Sequence, residues 1–170
     1  MTHPLRLCDT KRPPVVAIMV KAPAAGRSKT RLGREIGMVP AAWWARHQLA
    51  RLAQGPGDLG DRMARVFRAL PGPTLIVGAD IPGITQAHIA AGFAALGSHD
   101  AVLGPAPDGG YWAIGLKRGR PLPPRLFDGV RWSSPDALAG TLATLDGRRI
   151  AFLAPLHDVD TAADLKRVSH

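Results

Sequence analysis

The sequence predicts an α/β fold, a three-layer sandwich built on a mostly parallel central sheet. Three observations predict it: short apolar runs rich in β-branched residues, segments of helical apolar spacing between them, and Pro and Gly at the joins. The run at 15–20, bounded by Pro13-Pro14 and Lys21-Ala22-Pro23, is continuously apolar and reads as a buried strand. Residues 74–77 repeat the pattern after Pro71-Gly72-Pro73, and 101–103, 112–114 and 150–153 supply three more strands. Leu59, Met63, Val66, Phe67 and Leu70 share one helical face, as do Ile84, His88, Ala91 and Ala95. The join from Leu103 to Trp112 is too short for a crossover helix, so that strand pair is expected to be antiparallel or bent apart. Residues 121–124, between Arg120 and Arg125, read as a surface loop.

A chain of 170 residues with 46% apolar content can bury one substantial core, so residues 1–170 are read as one domain with 1–13 flexible. The 22 Lys and Arg against 13 Asp and Glu favour an anionic partner, although an Arg-, Ala- and Gly-rich composition produces basicity without one. The single Cys8 excludes an internal disulfide and a cysteine zinc site within one chain. The run at 15–20 is too short for a secretory core or a membrane span. A cytoplasmic location is expected, with no membrane partner.

Four motifs carry candidate chemistry. Residues 21–32 follow the first strand and contain Lys21, Gly26, Arg27, Lys29 and Arg31. Ligands in parallel sheets bind beyond the carboxyl ends of strands, and a Gly-containing cationic loop there suits phosphates. A P-loop is disfavoured, because Ser28 stands where Gly would precede the Lys-Thr pair and Ala22 takes the upstream Gly position. Asp80, at the end of the 74–77 strand, could hold Mg²⁺ or Mn²⁺ against a diphosphate, and equally suits a turn or helix cap. Asp158 and Asp160 alternate in an extended segment, giving two candidate oxygen ligands, while Asp160 or Thr161 also suits the cap of a terminal helix. Asp108-Gly109-Gly110-Tyr111 is a turn followed by aromatics that offers a flat face for a sugar or base. There is no Gly-x-Ser-x-Gly elbow and no His-Glu-x-x-His zinc motif, which argues against hydrolase chemistry.

Taken in order, six motifs between Lys21 and Thr161 resemble a bacterial glycosyltransferase family of GT-A type. They are Lys21-x-Pro-x-x-Gly-x-x-Lys-Thr-Arg-Leu32, Gly57-Asp-Leu-Gly-Asp-Arg-Met63, Gly78-Ala-Asp-Ile-Pro-Gly83, Leu103-Gly-Pro-Ala-Pro-Asp-Gly-Gly-Tyr111, Leu126-Phe-Asp-Gly-Val-Arg-Trp-Ser-Ser134 and Asp158-Val-Asp-Thr161. The family is an uncharacterised one, related to molybdenum cofactor guanylyltransferase-like proteins, with members assigned to arsenosugar biosynthesis. The resemblance implies a nucleotide-diphospho-sugar transferase fold, with Lys21, Lys29 and Arg31 on the nucleotide phosphates and Gly26 at the loop's turn. It implies Asp80 as the metal- or ribose-proximal acid, Asp160 as a second acid, and residues 108–111 along the acceptor side. Between Leu32 and Gly57 such proteins carry a helix and a second strand, whereas this chain has room for one helix. The sheet is therefore expected to be shortened around its second strand. Trp43 and Trp44, or a second copy in a homodimer, could cover the resulting edge.

These readings favour metal-assisted transfer of a sugar from a nucleotide-diphosphate donor to a small acceptor. An inverting reaction would need a base, for which Asp108 is the candidate. A nucleotidyltransferase of guanylyltransferase type, releasing pyrophosphate, would use the same cations and carboxylates; Lys29-Thr-Arg-Leu32 also resembles the loop of phospholactate guanylyltransferases. A catalytically inactive domain that binds a nucleotide or a partner is the third reading. Nucleic-acid binding fits least, since the cations cluster in a loop without an interleaved aromatic platform.

Overall fold

The structure, a computed structural model, describes residues 14–19, 55–79, 81 and 83–156. The chain divides into two compact units, residues 1–18 with 54–170 and residues 19–53; apart from Met19, the described residues belong to the first. Lys21, Gly26, Lys29, Arg31, Trp43, Trp44, Asp80, Asp160 and the stretch expected to be shortened lie outside the described residues.

The elements run β1 (Val15–Met19), α1 (Leu59–Ala69), β2 (Thr74–Gly78), α2 (Gln86–Ser98), β3 (Ala101–Pro105), β4 (Tyr111–Leu116), α3 (Ala137–Thr144) and β5 (Ile150–Phe152). The strands lie in the order β1-β2-β4-β3-β5. Val15 N donates to Pro73 O at 2.9 Å, so β1 and β2 start at the same edge. β4 pairs antiparallel with β2 and with β3, and β3 pairs parallel with β5. Only β4 runs against the others among these strands, which gives the expected mostly parallel sheet and the expected antiparallel join.

Every residue from Thr74 to Val77, from Ala101 to Gly104 and from Trp112 to Leu116 is buried, so both faces of the central strands are covered. α2 covers the face of Leu75, Val102 and Gly115. It comes so near that a Cβ on its Gly92 would lie 3.0 Å from Leu75 Cδ2, while one on Gly115 would lie 3.3 Å from Leu96 Cδ1 of the helix. Thr74, Ile76, Leu103 and Ile114 point the other way. The remaining buried apolar residues come from α1 (Met63, Val66, Phe67), the connection before α3 (Leu126, Phe127, Val130) and the α3 region (Ala137, Leu145). The result is three layers. Full burial of a side chain such as Phe67 contributes about 1.5–3 kcal/mol.

Three expectations need correction. The apolar face of α2 is only in part Ile84, His88, Ala91 and Ala95: Ile84 and Ala95 pack on the core, but the buried residues are Gly92 and Leu96, with Ile89 and Phe93 beside them, and Ala91 is exposed. Ala and Gly on every side of this helix leave little contrast from which to read a face. His88 instead closes the helix start, its Nδ1 accepting the Thr85 N–H at 3.1 Å. β1 is not fully buried, since it ends the strand order and exposes Val16 by 41% and Ile18 by 47%. Finally, α3 stands where the sequence pattern predicted no helix.

The sheet also carries a register shift between Gly104 and Pro105, opposite Trp112. A Cβ on Gly104 would overlap the Trp112 ring, whose Nε1 donates to Ala154 O at 3.1 Å. Gly104→Ala is expected to displace this ring and lower stability by about 1–3 kcal/mol. Urea unfolding followed by tryptophan fluorescence checks it, and an unchanged midpoint would contradict this seating of Trp112.

Candidate functional site

The carboxyl edge of β3 leads into a turn whose backbone is closed on itself. Ala106 N donates to Gly110 O at 3.0 Å and Gly109 N to Ala106 O at 3.2 Å. Asp108 Oδ1 accepts the Gly110 N–H at 2.9 Å, an Asx-type contact that holds the exposed carboxylate over the turn. Gly109 has φ +87°, and a Cβ there would overlap the backbone of Pro135, so the position admits no side chain for two separate reasons. Gly109 O accepts the N–H of Leu138 at 3.0 Å, tying the turn to the first turn of α3.

β4 then starts with Tyr111. Its hydroxyl oxygen accepts from Thr141 Oγ1 at 3.2 Å, and its ring meets Trp132 edge to face with centroids 6.5 Å apart. Burial pushes the Tyr111 phenol well above its ordinary ionisation range, opposed by the Thr141 hydrogen bond.

Trp132 reaches this place through α1. Its Nε1 donates to Asp58 Oδ2 at 3.2 Å. Asp58 is the N-cap of α1: its Oδ1 accepts the Asp61 N–H at 2.8 Å, while Asp61 Oδ2 accepts the Asp58 N–H at 3.2 Å. One carboxylate therefore both caps the helix and anchors the indole. Gly60 makes the approach possible, since a Cβ there would stand 2.7 Å from Phe127 Cβ and 2.8 Å from Trp132 Cζ2. Phe127 stacks between Trp132 and Phe67, at centroid distances of 5.9 and 6.3 Å. Phe127 and Ser133 have φ of 68° and 55°, a left-handed backbone that costs non-glycine residues energy and that the surrounding packing holds in place.

These parts enclose a cavity of about 150 Å³, lined by Leu59, Ile81, Ala106, Asp108, Gly110, Tyr111, Trp112, Trp132, Ser133, Ser134 and Ala137. It is smaller than the roughly 300–1,000 Å³ of sites that take a whole drug-sized ligand, and suits one end of a molecule. Aromatic walls with a carboxylate at the rim fit a hydroxyl-bearing ring, apolar on its face and polar at its edge.

Of the residues predicted from sequence, Asp108, Gly110 and Tyr111 line this cavity, and Gly109 shapes the turn beneath it. Lys21, Gly26, Lys29, Arg31, Asp80 and Asp160 lie outside the described residues. Among the described residues no group of three His, Cys, Asp or Glu could hold a metal ion. The sequence reading missed Trp132, Ser133, Ser134 and Asp58 as site residues. Their signal was present in the motifs at 57–63 and 126–134, to which no role was attached.

Tyr111 is the only tyrosine in the chain, so its titration can be read by ultraviolet absorbance alone. Tyrosinate is expected to appear in the folded protein only well above pH 10, and near 10 on unfolding in denaturant. The folded ionisation is raised, so its contribution to stability is fully present below about pH 10 and is lost as pH rises past that value toward the folded one. A native titration centred near 10 would contradict the burial. Asp58→Ala should cost about 1 kcal/mol or somewhat more through the lost cap and the unpaired indole, read from thermal unfolding.

No curated protein matches the chain in sequence. The structure is similar to the crystal structure of a "putative nucleotide-diphospho-sugar transferase" from Desulfovibrio desulfuricans G20, with a TM-score of 0.69 and 29% identity over 91% of this chain and 85% of that one. This likeness bears out the expected fold class. A bacterial family model matches residues 9–134, a span that includes the cationic loop, the Asp108 turn and Trp132. The chain belongs to that family, described as "Uncharacterized protein conserved in bacteria (DUF2064)".

Proposed function

We propose that the protein is a glycosyltransferase that moves a sugar from a nucleotide-diphosphate donor to a small hydroxyl-bearing acceptor. The observation that carries this reading is the small aromatic-walled cavity at the carboxyl edge of the sheet, with Asp108 at its rim. The likeness to the Desulfovibrio protein supports the same class.

In this reading the acceptor enters between Tyr111 and Trp132, its ring face against the aromatics. Asp108 takes the proton of the attacking hydroxyl. Its Oδ1 is already oriented by Gly110 N–H, which spares the reaction the work of ordering it. Attack with inversion breaks the bond from the anomeric carbon to the diphosphate, whose charge Lys21, Lys29 and Arg31 would stabilise around the turn at Gly26. Mg²⁺ or Mn²⁺ on Asp80 and Asp160 would supply Lewis-acid stabilisation of the same leaving group. Nucleotidyl transfer is the second reading, favoured by the Lys29-Thr-Arg-Leu32 loop.

Two experiments test the proposal. Incubation with sugar nucleotides and candidate acceptors should release nucleoside diphosphate; release of pyrophosphate from a nucleoside triphosphate would replace the first reading by the second. Asp108→Asn keeps an oxygen for the Gly110 contact but removes the base, and is expected to lower kcat about 10²- to 10⁴-fold with little change in Tm. Full activity in that variant would remove Asp108 from the chemistry. A thermal-shift screen of nucleotides with Mn²⁺, repeated on Lys29→Ala and Asp80→Ala, should show stabilisation of the parent that both variants lose. No response from the parent would favour a domain without transferase activity.

A further inference from the structure

A second cleft opens at the other end of the sheet. β4 runs against its neighbours, and its last residue, Leu116, lies opposite Thr74 and Ala101, the first residues of β2 and β3. The chain leaving β4 therefore emerges at the amino edge, away from the Asp108 turn. There Arg68, Pro71, Arg118, Gly119, Arg120 and Leu122 line an open surface cleft of about 480 Å³. Arg118 holds φ +66°, a conformation in which glycine would be easier, yet its guanidinium-bearing side chain stands at the cleft.

The ordinary fate of surface arginines is pairing with carboxylates or plain solvation. Around this cleft backbone carbonyls hold cations as well, Arg120 having both a carbonyl and the Asp100 carboxylate as partners. Arg148 donates to Pro121 O, Arg120 NH1 to Gly147 O at 3.5 Å and Lys117 Nζ to Gly97 O at 2.6 Å. Backbone carbonyls position these cations without cancelling their charge. Asp100 is the carboxylate beside them, held below its usual range chiefly by the Arg149 N–H and secondarily by the Arg149, Arg120 and Arg148 charges, against a desolvation effect. It spreads one negative charge over Arg120 at 3.8 Å and Arg149 at 3.9 Å, both longer than a good hydrogen bond. Among the described residues the cleft and its margin thus carry more cations than carboxylates, on planar donors of the type that binds tetrahedral oxyanions in bidentate fashion.

We propose that this cleft is a second anion site that binds phosphate-bearing ligands through Arg68 and Arg120, separate from the carboxyl-edge cavity. The phosphate could belong to a free molecule or to an anionic lipid headgroup. The inference is independent of the transferase reading, since it uses neither Asp108 nor the cationic loop.

The test follows the Gly119 amide by NMR during titration with inorganic pyrophosphate, in the parent and in Lys29→Ala, which removes the phosphate loop expected at the other edge. In parallel, co-sedimentation is measured with vesicles of phosphatidylglycerol and of phosphatidylcholine. A saturable Gly119 shift that survives Lys29→Ala and weakens about tenfold or more in the Arg68→Glu, Arg120→Glu double variant supports a free phosphate ligand. Sedimentation with phosphatidylglycerol alone, lost in the double variant, supports a lipid headgroup. If the charge reversal perturbs the circular dichroism, Arg68→Gln with Arg120→Gln is used in its place. The proposal is overturned if neither probe binds, or if binding is undiminished in the arginine variants.

Discussion

The reversal of β4 is the constraint on which the rest of the structure depends. Its neighbours β2 and β3 run the same way, and the connection from β3 to β4 is too short for a parallel crossover, so β4 returns against both. The short connection from Ala106 to Gly110 makes the return at the carboxyl edge and leaves Asp108 and Tyr111 there. The same geometry sends Lys117, Arg118 and Arg120 out at the opposite edge. Among the described residues, a single strand inserted backwards thus gives the sheet two different ends, one carrying aromatics and the Asp108 carboxylate, the other Arg118 and Arg120.

At the carboxyl end, the cavity wall is built from parts far apart in sequence. The Asp58 carboxylate satisfies the Asp61 N–H at the start of α1 and the indole N–H of Trp132 together. Sharing one group between a cap and a wall couples the stability of α1 to the position of the ring. Phe127, between Trp132 and Phe67, extends that coupling into the apolar layer of α1.

The central strands and the α1 face, apart from the exposed Leu59, were legible because β-branched runs between Pro and Gly, and apolar spacing with strong polar contrast, report directly on burial. The Asp108 turn was legible for a similar reason: an Asp-Gly pair at the end of an apolar run restricts the backbone locally. α2 was placed correctly but its face was read only in part, because Ala91, Gly92 and Ala95 offer nearly the same hydropathy on different sides. The role of Trp132 was not legible at all. It arises from Gly60 permitting close approach and from the Asp58 contact, both of which are tertiary. The phosphate loop and the two metal acids rest on sequence pattern, since they lie outside the described residues.

The contact between Gly109 and Pro135 sets backbone directly against backbone between the Asp108 turn and the segment leading into α3. No side chain stands between them to be exchanged for a larger or smaller one. The spacing of the two segments that flank this contact, 106–110 and 132–137, both of which line the cavity, is consequently a property of the fold itself, and substitution reshapes the space more readily at side-chain positions such as Leu59, Ile81 and Trp132.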